Sequence, residues 1–136
     1  LRSQYRLKFK EIMKVAVEKD PENGILYYNL GIISSEQGES LDARSYFEKA
    51  IEFKPDYVDS YVAIVNIILQ EQTKIIEEMD KIAMSNKRSD ILKYDALKDD
   101  LNSVWSSCIP YCEAALEYAP NDLEVLKLLS QFYYIF

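Results

Sequence analysis

Histidine is missing from all 136 residues. That absence removes the side chain that most often acts as a base near neutral pH, so a serine or cysteine nucleophile has no ordinary partner. Cysteine is almost as scarce. Cys108 and Cys112 are the only two, and at this spacing they stack on one helix face, where adjacent turns seldom give disulfide geometry. Two thiols without histidine fall short of a zinc ligand set. They read as small packing residues, with a metal or redox pair as the alternative. Three glycines are too few for a phosphate-cradling loop. No apolar run reaches the roughly 18 residues of a membrane span, and the longest, YVAIVNIIL, is broken by Asn66. Membrane insertion is therefore not expected, and no signal-peptide pattern is present. The chain opens on Leu1 rather than Met, which reads as a processed or excised piece. A soluble chain in the cytoplasm, or an exported or periplasmic one that has lost its signal peptide, both fit.

Positive charge is also short. Sixteen basic against 23 acidic residues leave a net charge of -7, which argues against nucleic acid, whose binding rests on clustered Lys and Arg. The one basic stretch lies at the start, where Arg2, Arg6, Lys8, Lys10, Lys14 and Lys19 outweigh Glu11, Glu18 and Asp20; it reads as a solvated helix face. The acid pairs Glu77-Glu78 and Asp99-Asp100 read the same way. No catalytic residue, metal site or cofactor is expected. What the chain does have is 49% hydrophobic and 29% charged residues with only four prolines, the balance of an all-α protein with a core of its own.

The organising pattern is a period of 34. Pro21 and Pro55 are 34 apart, and so are Ala16 and Ala50. Within residues 24–57, Tyr27, Leu30 and Gly31 are followed by Ala43, Phe47, Ala50 and Pro55. Small Gly31 and Ala43 let two antiparallel helices approach, while Tyr27, Leu30, Phe47 and Ala50 fill the seam between them. Gly38 suits the left-handed residue that ends a first helix, Ser40 is placed to cap the second, Pro55 stops it, and Asp56 is placed to cap the next. Such a helix hairpin cannot bury both faces alone and stacks on neighbours.

This arrangement resembles the tetratricopeptide repeat (TPR). The resemblance implies a single domain over 1–136: a solenoid of antiparallel helix hairpins with about two repeats and flanking half-repeats. Residues 1–20, with Phe9, Met13 and Ala16, match the second helix of a preceding repeat, and 24–57 a complete one. Residues 58–120 match an enlarged repeat, and 121–136 the first helix of a following one. There Asn121 and Glu124 suggest a capping box, and Leu126, Leu129, Ser130 and Tyr133 take the signature places.

The enlargement is read from spacing. Pro55 to Pro120 is 65 residues, 31 more than one period. Tyr61, Val65, Ile68, Gln72, Ile75, Met79 and Ile82 alternate four and three apart, as do Tyr94, Leu97, Leu101, Val104, Cys108, Tyr111 and Ala115. Two such heptad seams paired antiparallel place a turn near 86–90. Both helices would then be lengthened by about 20 Å at 1.5 Å per residue, forming a projecting hairpin. Pro110 is expected to kink the second near Ser106, as a tolerated bend or as a hinge.

The family lines its concave face with the first helix of each repeat. Carried over by position, that face would hold Tyr28, Ile32 and Ser35, then Asp59, Val62, Asn66 and Leu69, then Glu124, Lys127 and Gln131. A subset of the family grips terminal carboxylates with Lys and Asn where this sequence has Tyr28 and Ile32. The resemblance thus implies a non-catalytic scaffold that binds a protein or peptide partner. The alternative is an assembly element that forms a homo-oligomer through exposed terminal helices such as the one ending in Phe132, Tyr133, Tyr134, Ile135 and Phe136.

Overall fold

In the computed structural model, which describes residues 2–136, six α-helices follow one another: α1 (Arg2–Lys19), α2 (Gly24–Glu36), α3 (Ser40–Phe53), α4 (Val58–Ile82), α5 (Arg88–Tyr118) and α6 (Leu123–Ile135). The described residues contain no strand, so the chain is all-α. Two compact units divide it, Leu1–Ile64 and Val65–Phe136, with the boundary inside α4.

In unit 1, α2 and α3 form the tightest pair. Ala43, Phe47 and Ala50 present one fully buried stripe of α3 toward Tyr27, Leu30 and Gly31 of α2. A Cβ on Gly31 would lie 2.4 Å from Phe47 Cε1, and one on Gly24 would lie 2.6 Å from Lys54 Cβ, so two glycines set how near the helices come. Gly38 has φ 78° and ends α2. The Glu39 N–H reaches back to the Ser34 carbonyl (2.9 Å) and the Gly38 N–H to that of Ser35 (3.0 Å), the paired bonds of a Schellman motif.

The helix starts depart from expectation. Asn23 caps α2, its side chain accepting from the Ile25 and Leu26 N–H groups. Ser40 is the first residue inside α3 and Glu39 occupies the cap without a side-chain bond to it; its carboxylate is drawn to Lys10 of α1 instead. Asp56 pairs with Lys54 (3.7 Å). At α6 the cap is Asp122, bonded to the Val125 N–H (3.1 Å), one residue later than the capping box based on Asn121 requires. The basic face of α1 is not merely solvated: Arg6 meets Glu36 (3.4 Å), and Lys10 meets both Gln37 (3.2 Å) and Glu39. Of its expected core residues, Phe9 is exposed, and Met13 and Ala16 are half-buried.

Three connections share one form. The N–H groups of Asp20, Lys54 and Ala119 bond the carbonyls of Ala16, Ala50 and Ala115, and a proline follows each. Three residues on, Asn23, Tyr57 and Asp122 return a bond to the same Asp20, Lys54 and Ala119 carbonyls. The Tyr27 hydroxyl donates to the Pro21 carbonyl (2.8 Å), and that of Tyr61 donates to Pro55 (2.6 Å). The first two connections thus repeat these bonds at a spacing of 34, and the third repeats the backbone pair 65 residues further on.

Unit 2 holds most of the two long helices. α4 and α5 have 25 and 31 residues, against 13 and 14 for α2 and α3. Met79, Leu97 and Leu101 form a core cluster joined by Ile75, Ile82, Tyr94 and Trp105, and the Trp105 indole donates to Gln72 (2.6 Å). The connection occupies residues 83–87, earlier than the expected 86–90. Ser85 organises it, accepting from the Lys87 N–H (3.2 Å) and donating to Asp90 (2.6 Å). The buried stripe of α5 runs Leu97, Leu101, Val104, Cys108, Cys112, Ala115. Cys112 takes the place expected of Tyr111. A straight helix drifts from a strict heptad, and two successive steps of four absorb the drift. α5 continues through Pro110. On α6, Val125, Leu129 and Phe132 are buried, while Leu126, Ser130 and Tyr133, three of the four signature places, are exposed.

Candidate functional site

Unit 1 gathers an aromatic corner that is only partly covered. The Tyr28 ring, on α2, stands edge-on to Tyr57 with centroids 4.9 Å apart and planes at 89°, and lies tilted against Phe47 at 5.6 Å. Phe47 is fully buried, and Tyr28 and Tyr57 are half-buried. Burial raises the Tyr28 phenol, and the nearby Asp59 and Tyr57 raise it further. Asp59 is exposed in the first turn of α4, two residues after Tyr57. By helical spacing, exposed Ile32 and half-buried Ser35 continue the Tyr28 side of α2, and half-buried Val62 continues the Asp59 side of α4.

The remaining expected residues lie in unit 2. Asn66 is exposed and Leu69 half-buried on α4; Glu124, Lys127 and Gln131 are exposed along one side of α6. Tyr28 and Asp59 are both among the residues expected on the concave face, whereas Tyr57, which meets the Tyr28 ring, is not. An aromatic residue two places after a helix-stopping proline was the available signal.

With this geometry in view, residues 12–45 match the family model described as tetratricopeptide repeat. The match spans one period but begins inside α1 and ends inside α3. The chain has the tetratricopeptide-repeat fold. Among solved structures it is similar to the first TPR of Spaghetti (RPAP3) bound to the HSP90 peptide SRMEEVD, with a TM-score of 0.61 and 14% identity over 98% of this chain and 84% of that one. It is also similar to YrrB, a TPR protein with an unusual peptide-binding site, with a TM-score of 0.44 and 21% identity over 90% of this chain and 65% of that one. No curated protein matches it by sequence.

On this TPR scaffold the thiols are packing groups. Both cysteines are buried and unbridged. Burial, with a smaller effect of Glu113, pushes the Cys112 thiol up to about 11, so it stays protonated at neutral pH. Among the described residues no group of three or more Cys, Asp or Glu side chains is set to hold a metal ion. No helix among the described residues is long and apolar enough to cross a membrane.

Proposed function

We propose that this TPR chain is a non-catalytic scaffold, and that unit 1 holds a segment of another protein against α2 and the start of α4. The observation that carries this reading is the half-buried Tyr28, braced by Tyr57 and Phe47 and flanked by exposed Ile32. Two aromatic contacts fix the ring before a ligand arrives, so little side-chain freedom is lost on binding. Ile32 and Val62 supply apolar contact, and Ser35 supplies a hydroxyl to an extended or helical backbone. The structural relative solved with a bound heptapeptide supports a peptide as the ligand type. Asn66, Leu69, Lys127 and Gln131 would serve the same role for unit 2.

The test is a quantitative pull-down. Tyr28→Ala and Ile32→Ala should lose a captured partner with little change in melting temperature, while Lys87→Glu with Arg88→Glu at the α4–α5 connection should keep it. The reverse pattern would move recognition to that connection. A second reading, assembly through a homo-oligomer, rests on exposed apolar residues at the end of α6 and its cap, where Tyr134 is 93% accessible and Tyr133 and the capping Phe136 are also exposed. Light scattering decides it: a monomer at all concentrations sets that reading aside.

A further inference from the structure

Between residues 20 and 64 the sequence carries nine carboxylates and three cations. The three cations are already engaged. Arg44 pairs with Glu48 (3.8 Å), Lys54 pairs with Asp56 (3.7 Å), and the Lys49 ammonium lies 5.4 Å from the Tyr27 ring centre. Glu36 and Glu39 are met by Arg6 and Lys10 of α1. Asp59 has no ion-pair partner among the described residues, and it stands in the first turn of α4, two residues after the Tyr57 ring that meets Tyr28. A ring face and a carboxylate attract the same ligand group, since the electron-rich face of a tyrosine and a negative charge both favour a cation.

We propose that the corner formed by Tyr28, Tyr57 and Asp59 selects a lysine or arginine side chain on the bound segment, so that the partner is a basic rather than an acidic peptide. This rests on the reading of unit 1 as a recognition face and gives it a ligand chemistry. The corner repels a terminal carboxylate, because Asp59 is an unneutralised negative charge at the place of contact. The net charge of -7 on the whole chain adds long-range attraction for a basic segment, but that attraction alone is not selective. The selective part is local to Asp59 and the two rings.

The experiment titrates the whole chain with two N-acetylated, amidated heptapeptides, SSMEEVD, which carries no cation, and SRMKKVK, which carries four, by calorimetry at low and physiological salt. The lysine peptide should bind saturably and the acidic one should not. Asp59→Asn and Tyr28→Ala should each weaken the lysine peptide about five- to tenfold. Asp42→Asn makes the same charge change in the first turn of another helix, and it should leave affinity nearly unchanged. Equal losses from Asp59→Asn and Asp42→Asn would reduce the effect to net charge and overturn the proposal. Preference for the acidic peptide, or no saturable binding of the lysine peptide, would overturn it too. Acidic-peptide binding that is lost in Tyr28→Ala would keep the recognition face while reversing its chemistry. If neither peptide nor any captured partner depends on Tyr28, both readings fail.

Discussion

A methyl group on Gly31 would collide with a buried ring, whereas one on Gly38 would meet nothing within 4 Å and would suffer only from its positive φ. The two glycines should therefore fail differently. We expect Gly31→Ala to cost about 1–3 kcal/mol by overpacking. Gly38→Ala should cost about 1–2 kcal/mol through the left-handed backbone, and Gly38→Asn less. Urea unfolding of the three variants distinguishes the mechanisms. Ser34 and Ser60 present the opposite case. Both are fully buried, and neither hydroxyl has a hydrogen-bond partner among the described residues. Deleting an unsatisfied buried hydroxyl removes a desolvation cost, so Ser34→Ala and Ser60→Ala should raise stability by about 1 kcal/mol each; a fall in melting temperature would show that each hydroxyl is satisfied in solution. Cys112 makes a pH prediction. The folded chain holds its proton until about pH 11, whereas the unfolded thiol releases it near 9. The unfolded state thus binds fewer protons in that window, and stability falls as pH rises from 9 to 11. Cys112→Ala should show a shallower fall, read from thermal unfolding across the window.

Between elements, the connections matter as much as the helices. Tyr27 and Tyr61 each tie a helix to the carbonyl of the proline that precedes it. Tyr27→Phe and Tyr61→Phe should each cost about 1 kcal/mol without changing helix content by circular dichroism. Proline position was legible in the sequence because the same backbone turn, from an alanine carbonyl to the residue before a proline, is built three times, and the first two add the tyrosine tie at the period of 34. The long pair was legible from its heptads, since Met79, Leu97 and Leu101 do form the core between α4 and α5. Its connection was harder to place. Polar SNKRSD suggested a turn, but Arg88 and Asp90 are already helical, and Ser85 closes the loop before them. Caps were misread where two polar residues adjoin, as at Asn121 and Asp122, because composition cannot choose between neighbours that both cap well. Leu101→Ala should cost about 2–4 kcal/mol, a loss expected only if α4 and α5 pack as a pair.

For the molecule as a whole, the repeat register carried the fold, and the candidate face followed from it only in part. Tyr28, Ile32, Asp59 and Val62 were expected on the candidate face because helix position sets which side chains share a side. Tyr57 was not, because it lies in a connection whose path no periodicity describes. Nor did the pattern show that the chain divides into two compact units inside α4. The central claim is that unit 1 recognises a peptide through its aromatic corner. Its most direct test is the amide footprint of bound SRMKKVK on the isotope-labelled chain by two-dimensional NMR. The account predicts saturable shifts centred on Tyr28, Ile32, Tyr57, Asp59 and Val62, absent in Tyr28→Ala. Shifts centred instead on the α4–α5 connection around Lys87 and Arg88, or spread evenly over the acidic surface, would contradict it.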